Sequence, residues 1–176
     1  MGGAVNEILK KLADGDLRSI GRSEEVVAEV LAAPILFGEL FAGLKSGDPG
    51  VRMRAADAIE KVTARRPDLL QPYRIVILNE MTAISQQEVR WHVCQILPRL
   101  VLSSEERRRA AAMLESYLSD KSRIVRTFAL QALADLTIED NELTAHVIEL
   151  LEAQTGCGVP SIESRCKRLL VKLKKL

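Results

Sequence analysis

Apolar residues recur along the chain in a pattern that repeats about every 37 residues. The register marks of this pattern are Val51, Val89, Val125 and Ile162, which lie 38, 36 and 37 residues apart. At offsets of 4, 7, 8 and 11 residues after each mark, the residue is always small or apolar. These offsets fall on one face of an α-helix. The pattern therefore predicts four equivalent helices that each bury the same ridge. The sixteen ridge positions are Ala55, Ala58, Ile59, Val62, Val93, Ile96, Leu97, Leu100, Ala129, Ala132, Leu133, Leu136, Cys166, Leu169, Leu170 and Leu173.

A second apolar helix precedes each of these four. The predicted ranges are about 34–46, 68–84, 104–119 and 141–154. Gly, Pro, Asp and Ser fill the segments between the helices, where they end one helix or cap the next. Ser103 and Glu106 have the spacing of a capping box. The sequence thus predicts an all-α fold built from antiparallel helix pairs.

The first 33 residues carry a weaker form of the pattern. A predicted helix at about 4–13 leads to the turn Asp14-Gly15-Asp16, and a second helix covers about 23–32. Terminal repeats are commonly irregular because one of their faces meets water. We therefore expect one domain over residues 1–176. Its parts are an N-terminal helical cap at 1–33 and helix pairs at about 34–66, 67–102, 103–138 and 139–176.

Two of the second helices carry a more specific pattern. Asp48-Pro49-Gly50-Val51-Arg52 is followed by Ala55-Ala56-Asp57-Ala58-Ile59, and Ile124-Val125-Arg126 is followed by Ala129-Leu130-Gln131-Ala132-Leu133. Both segments resemble the second helix of the HEAT repeat, an armadillo-like α-solenoid family. The resemblance covers about residues 32–176 and implies a right-handed α-α superhelix. It says little about function, because such repeats serve scaffolds, transport factors, some lyases and some DNA glycosylases.

The resemblance also implies a ladder of arginines between repeats. In the family, the arginine after the valine pairs with turn aspartates. Here that position holds Arg52, Arg90 and Arg126. Glu163 replaces the arginine in the fourth repeat, so the ladder is expected to stop there. The turn aspartate is present as Asp48 and, shifted, as Asp120, whereas Gln86 replaces it in the second repeat.

The second helices of HEAT-like stacks line the concave face, which suggests a surface for a partner. At 100° per residue, offsets 2 and 6 point away from the buried ridge and offset 3 lies at its edge. The predicted partner-binding residues are Met53, Arg54, Trp91, His92, Gln95, Thr127, Phe128 and Gln131. Two interpretations of Trp91 stay open, namely contact with a partner and packing between neighbouring helices. Pro98 lies inside a predicted helix and is expected to bend it.

Charge and composition narrow the possible functions. The formal net charge is +1, so the chain as a whole is no polycation. Only 3% of residues are aromatic. The final helix is basic, and Arg165, Arg168 and Lys172 form a possible anion-binding group. Complementing the helix dipole is the alternative role of these cations. The cluster Arg107-Arg108-Arg109 is either a solvated face or a site for an anionic partner.

The sequence offers no catalytic or metal-binding constellation. His92 and His146 are the two histidines, and they fall in different repeats. His92 and Cys94 are two residues apart on a helix, so their side chains point apart. The cysteines Cys94, Cys157 and Cys166 have no metal-ligand spacing and are expected to be reduced thiols. With no signal-peptide pattern and no long apolar run, we expect a cytoplasmic protein without cofactor, metal or membrane contact.

The sequence is compatible with three functions. The favoured one is a non-enzymatic protein-binding scaffold or adaptor, a monomer or weak homo-oligomer, whose concave face binds a helix or extended segment of a partner protein. The alternative is nucleic-acid binding or a DNA-glycosylase-like activity, for which Arg54, Asp57, Trp91, Arg165 and Arg168 are the available residues. A chromophore-lyase-like role rests on fold analogy alone and has no identifiable site.

Overall fold

The computed structural model describes residues 7–15, 19–137 and 140–175, and every regular element in these ranges is a helix. The α-helices are α1 (Glu7–Ala13), α2 (Ser23–Ala32), α3 (Phe37–Ala42), α4 (Pro49–Arg65), α5 (Arg74–Glu80), α6 (Gln87–Ile96), α7 (Ser104–Ser116), α8 (Arg123–Leu136), α9 (Asn141–Ala153) and α10 (Pro160–Leu173). Turns of 3-10 helix extend several of them, at Pro34–Leu36, Gly43–Lys45, Pro67–Tyr73, Met81–Ala83, Leu97–Arg99 and Tyr117–Ser119. The all-α prediction is confirmed.

The helices pack in two layers. The even-numbered helices lie side by side in chain order, so that α4 contacts α2 and α6, and α8 contacts α6 and α10. The odd-numbered helices form the other layer, in which α1 contacts α3 and α5 contacts α7. Helices α3, α7 and α9 each pack against the even-numbered helix that follows them. The structure therefore brings the four predicted second helices, and α2 before them, into one row.

The core lies between the two layers and contains the predicted ridge. Of the register marks and ridge positions, all but Leu170 are at most 7% exposed. Leu170 is partly buried on α10, whose main neighbours are α8 and α9. Small residues set the spacing: a Cβ at Gly43 would lie only 2.8 Å from the Cβ of Ala55. The ridge prediction is thus confirmed at every position except Leu170.

The helix ends also follow the sequence signals, with one correction. Ser103 and Glu106 form both hydrogen bonds of the predicted capping box at the start of α7. Pro98 does not bend a continuous helix, contrary to the prediction. Instead α6 ends at Ile96 and Pro98 lies in the 3-10 turn Leu97–Arg99. The reason is that Pro98 has no N–H to donate to the carbonyl four residues earlier. Residues 4–6 of the first predicted helix and Asp16 lie outside the described residues.

Two of the three ladder arginines join successive repeats. Arg52 donates from Nε to Oε1 of Gln86 at 2.8 Å and from Nη1 to the carbonyl of Ser46 at 2.8 Å. Arg90 donates from Nη1 to Oδ2 of Asp120 at 2.6 Å. Both arginines therefore tie a second helix to the turn of the next repeat. Gln86 accepts this bond although it lacks the charge of the expected aspartate.

The contact of Arg90 with Asp120 is electrostatically stronger than the contact of Arg52 with Gln86. The guanidinium of Arg90 also lies over the ring of Tyr117, 5.0 Å from its centroid. Burial disfavours the ionised form of Asp120, but hydrogen bonds from the backbone N–H of Ser122 and from Arg90 outweigh this and lower its pKa. A charge-assisted bond to a carboxylate is roughly twice as strong as a neutral one. We therefore expect the contact of Arg90 with Asp120 to contribute more to stability than that of Arg52 with Gln86.

This contact gives a prediction about stability. Asp120→Asn should lower the free energy of unfolding by about 1–3 kcal/mol at pH 7, because a mostly buried Arg90 loses its charged partner. Because folding lowers the pKa of Asp120, its carboxylate contributes fully to stability above the ordinary pKa of 3.8. The variant should therefore show the full loss of stability above that pH. The loss should disappear as the pH falls through the lower folded value.

Urea unfolding at pH 7 and near pH 3 measures this difference. Asp68→Asn is the matched control, because Asp68 pairs with Arg66 at an exposed site. The control should change stability by less than about 1 kcal/mol. Equal effects of the two substitutions at pH 7 would contradict a stabilising role for the Arg90–Asp120 contact.

Candidate functional site

The residues at offset 3 face the preceding repeat instead of lying at an open edge. These residues are Arg54, His92, Phe128 and Arg165. Arg165 on α10 donates from Nη1 to Oε1 of Gln131 on α8 at 2.7 Å. Phe128 on α8 shares a groove with Gln95 on α6. Offset 3 of one repeat thus meets offset 6 of the repeat before it, and together they form the seam between successive even-numbered helices.

Arg54 does not belong to a partner-binding surface, contrary to the prediction. It is 2% exposed and packs under the loop between α1 and α2. It donates to the carbonyl of Leu12 at 2.7 Å and to the carbonyl of Ser19 at 3.0 Å. Gly21 in this loop has a φ of +53°, and a Cβ there would lie 2.3 Å from the carbonyl oxygen of Asp14. Arg54 therefore ties Leu12, near the end of α1, and Ser19, before α2, to α4.

His92 is partly buried in the seam between α4 and α6. Its Nδ1 atom is buried and accepts or donates no hydrogen bond in the described residues. Burial lowers the pKa of His92, and the negative charges of Asp57 and Glu60 on α4 only partly oppose this. The ring lies 5.6 Å from the ring of Trp91, centroid to centroid. His92 is therefore expected to be neutral at pH 7, which does not suit a role as a surface cation.

The other predicted surface residues keep part of their side chains accessible. Trp91 and Phe128 pack against the core while remaining partly exposed, so each has a buried face and an open face. Met53 and Thr127 are also partly exposed, and Thr127 donates to the carbonyl of Arg123 at 2.7 Å. The packing interpretation of Trp91 thus describes its buried face, and contact of its open face with a partner stays a prediction.

Ion pairs close most of the seams on this layer. The residues at offset 10 are Lys61, Arg99, Asp135 and Lys172. Each cation among them bonds an acid of the preceding repeat or cap. Lys61 pairs with Glu24 on α2, Arg99 with Glu60 on α4, and Lys172 with Asp135 on α8 at 3.0 Å.

The seam between α6 and α8 lacks such a pair. Asp135 has the opposite charge to the other residues at offset 10, and it is already bonded to Lys172. Arg99, across the seam, is bonded to Glu60 and to Oγ1 of Thr63. In the described part of the chain, no ion pair joins α6 or the 3-10 turn after it to α8 itself. The Arg90–Asp120 ion pair joins α6 to the turn before α8, at the opposite end of this seam.

An open groove of about 420 Å³ occupies this seam. It is formed by Cys94, Gln95, Pro98, Arg99, Phe128, Gln131, Ala132 and Asp135. Because Pro98 ends α6 early, the later turns of α8 face a short 3-10 turn instead of another turn of helix. Phe128 and Pro98 provide apolar surface and Gln95 provides an amide. The amide of Gln131 is bonded to Arg165 and Asp135. The two charged residues are already neutralised by their partners.

The groove contains three of the predicted partner-binding residues, Gln95, Phe128 and Gln131. The prediction from offsets alone missed the groove itself. Two sequence signals could have located it, namely Pro98 inside the helix pattern and Asp135 at an offset where the other repeats have a cation. Neither Pro98 nor Asp135 indicates a groove by itself, because their effect depends on the ion pairs between neighbouring even-numbered helices.

The predicted anion-binding group is not an open cluster of cations. Arg165 is bonded to Gln131 and Lys172 to Asp135. Only Arg168 of the three is exposed and without a bonded partner in the described residues. In the other basic cluster, Arg108 pairs with Glu142 at 3.0 Å and Arg109 donates to Asn79 at 2.7 Å. These cations mainly join neighbouring helices.

The cysteines and the possible metal ligands add no further site in the described residues. Cys94 and Cys166 are buried free thiols, and burial raises the pKa of both, to about 11 for Cys166. Within residues 7–15, 19–137 and 140–175, no cluster of three or more His, Cys, Asp or Glu residues could hold a metal ion. No helix in these ranges has the length and apolar character needed to cross a membrane.

Comparison of the chain with models of known protein families gives no match, and comparison with curated protein sequences gives none either. The groove is therefore interpreted from its own geometry.

The buried position of His92 gives a pH prediction. Because its pKa in the folded chain lies below the ordinary 6.5, the unfolded chain binds a proton more readily. Stability should therefore fall as the pH decreases from about 6.5 through the lower folded value. His92→Gln should remove this part of the pH dependence, as measured by urea unfolding between pH 8 and pH 5.

His146→Gln provides the control. His146 is exposed on α9 and contacts Glu115 at 2.9 Å, and this variant keeps His92. It should retain the pH-dependent loss seen in the unaltered chain. If His92→Gln and the unaltered chain lost stability in parallel below pH 6.5, the account of the buried imidazole would be wrong.

Proposed function

We propose that this chain is a HEAT-type solenoid, a right-handed α-α superhelix of four helix pairs with an N-terminal cap. We further propose that it acts as a non-enzymatic protein-binding scaffold or adaptor. The repeat of about 37 residues supports the first part, together with the row of even-numbered helices and the Arg52 and Arg90 contacts between repeats. The free thiols of Cys94 and Cys166 fit a reducing compartment, and we propose the cytoplasm as the location.

The open groove between α6 and α8 is the observation that carries the functional proposal. An ion pair crosses each of the other seams in this row, whereas this seam exposes apolar surface beside the amide of Gln95. Buried and partly buried apolar pockets of this kind are where partner side chains contribute most binding energy. In the proposed solenoid, the even-numbered helices that form the groove would line the concave surface, where such proteins bind their partners.

The chemistry of the groove favours a neutral polypeptide segment as the occupant. Arg99 and Asp135 are paired within the chain, so neither charge requires a counter-charge from a ligand. An apolar side chain of the partner would contact Phe128 and Pro98. The amide of Gln131 is already bonded to Arg165 and Asp135. Gln95 carries both a donor and an acceptor, which suit the backbone of a helix end or an extended segment. We propose such a segment of another protein as the ligand.

The arrangement gives less support to the nucleic-acid alternative. Binding to phosphates relies on several unpaired Lys or Arg side chains on one face. Here Arg54 is buried, Arg165 and Lys172 are bonded within the chain, and the net charge is +1. Asp57, the available candidate for a general base, accepts hydrogen bonds from Ser23 and Lys61. The proposed activity is therefore binding without catalysis.

Two substitutions in the groove test the proposal. Phe128→Ala removes one apolar wall and Gln95→Trp fills the space. Loss of a large apolar contact should cost about 2 kcal/mol of binding free energy, or a roughly 30-fold weaker Kd. The chain and its variants would be used for affinity purification from source cells with mass spectrometry. The Kd for the captured partner would then be measured with purified proteins.

Ile124→Ala is the matched control. Ile124 is an exposed apolar residue on the same helix, 49% accessible and outside the groove. We expect at least one partner of the unaltered chain to be retained by Ile124→Ala and lost by both groove variants. Circular dichroism establishes that each variant is folded. If every partner bound the groove variants as tightly as the unaltered chain, the groove would not be the binding site.

A further inference from the structure

Helix α10 has one side that is open where the other helices of its row are covered. Helices α4 and α6 turn the residues at offsets 5 and 9 towards the even-numbered helix that follows. Glu60 at offset 9 of α4 bonds Arg99 of the next repeat. Cys94 and Pro98, at offsets 5 and 9 of α6, line the seam with α8. Offset 8 lies within one turn of both and therefore on the same side. The main neighbours of α10 are α8 and α9, and no described helix follows it in the row.

Burial at these offsets shows the difference. On α4, α6 and α8, the residues at offsets 5 and 8 are at most 3% exposed. They are Ala56, Cys94 and Leu130 at offset 5 and Ile59, Leu97 and Leu133 at offset 8. On α10, Leu170 at offset 8 is only partly buried, Lys167 at offset 5 is exposed, and Val171 at offset 9 is 58% exposed. Two adjacent apolar side chains thus reach the surface on the side that would contact a following helix.

Cations flank these two apolar residues. Lys167 lies one turn before them, and Lys174 directly follows the end of the helix, about one turn after them. The side chain of Lys167 forms no hydrogen bond or ion pair within the described part of the chain, and Lys174 pairs with Glu152 at an exposed site. The one acid of α10, Glu163, accepts from the backbone N–H of Gly158 at 2.8 Å. We call Lys167, Leu170, Val171 and Lys174 the open face of α10.

We propose that the open face of α10 binds an acidic amphipathic helix of another protein. The partner helix takes the place of a following helix in the row, and its apolar residues cover Leu170 and Val171. In the other seams the earlier helix supplies the acid and the later helix the cation, as in the pair of Glu60 with Arg99. On α10 the charge is reversed, so the helix beside it must supply the acids. This face is separate from the groove between α6 and α8 and does not rest on the function proposed for the groove.

Both parts of the open face decide between possible occupants. Lys167 and Lys174 lie about 10 Å apart along the helix axis, a distance that two acids seven residues apart on a partner helix would match. The phosphates of a nucleic acid would pair with the lysines but would leave Leu170 and Val171 in contact with water. Two apolar side chains are too few to anchor the helix in a membrane surface. Two copies of this face placed against each other would bring like charges together.

The test is an NMR titration of the full-length, ¹⁵N-labelled chain with a synthetic helical peptide. The peptide has about 20 residues, long enough to form a helix alone, and is otherwise made of Ala and Gln. It carries two Glu residues seven positions apart with two Leu residues midway between them. A second peptide has Gln in place of both Glu residues. We expect the backbone signals of residues 167–174 to shift saturably with the Glu peptide, and the Gln peptide to bind about tenfold more weakly.

Two variants examine the two parts of the face. Lys167→Glu should weaken the Kd for the Glu peptide about tenfold, because an attraction becomes a repulsion. Its control is Lys10→Glu, which makes the same charge change at an exposed lysine of α1 and should leave the Kd within about twofold. Val171→Ser should weaken the Kd about fivefold through lost apolar contact. Its control is Ile75→Ser, because Ile75 is 54% exposed on α5.

The proposal is overturned if the Glu peptide gives no saturable shift on α10, or if each control weakens binding as much as its partner variant. Tighter binding of duplex DNA or of phosphatidylserine vesicles to α10 would overturn the assignment to a protein helix. Shifts of α10 that depend on the concentration of the chain alone would assign the face to a second copy instead. Peptide-induced shifts of the Gln95 side-chain amide without shifts on α10 would place the peptide in the groove and also overturn the proposal.

Discussion

Close packing along the buried ridge of the even-numbered helices is the constraint on which the rest of the structure depends. Ala55, Ala58, Ala129 and Ala132 are at most 1% exposed. The same offsets on α6 and α10 hold the larger residues Val93, Ile96, Cys166 and Leu169, which are at most 4% exposed, so the ridge is closely packed on all four helices. Once the ridge is fixed, the other positions follow. Offset 3 faces the preceding repeat, offset 6 faces the following one, and offset 10 lies where ion pairs can close the seam.

The groove arises because two residues depart from this regular arrangement at the same seam. Pro98 ends α6 about a turn before the corresponding position on its neighbours. Asp135 places an acid where the other repeats have a cation, so no ion pair closes the seam from α8. A regular repeat would have produced another closed seam at this position. Two local departures from the pattern thus account for the groove at this seam.

Much of this fold could be predicted from the sequence because its signals are local and periodic. The ridge, the helix pairs and the capping box of Ser103 with Glu106 all depend on residues within a turn or two of one another. The burial of Arg54 could not be predicted in this way, since it depends on a loop more than thirty residues away in sequence. Helical angles put Arg54 and Phe128 at the edge of the ridge, but they do not show which neighbouring helix covers that edge. The candidate site was therefore only half predicted, through Gln95, Phe128 and Gln131.

The central claim is that the groove between α6 and α8 receives a segment of a partner protein. The side-chain amide signals of Gln95 and Gln131 report on this most directly, because both groups lie in the groove. They can be followed by NMR while the purified partner is added. The account predicts saturable shifts of both signals together with those of residues around Phe128. Shifts confined to α7 and α9 in the other layer, with the two glutamine amides unchanged, would contradict it.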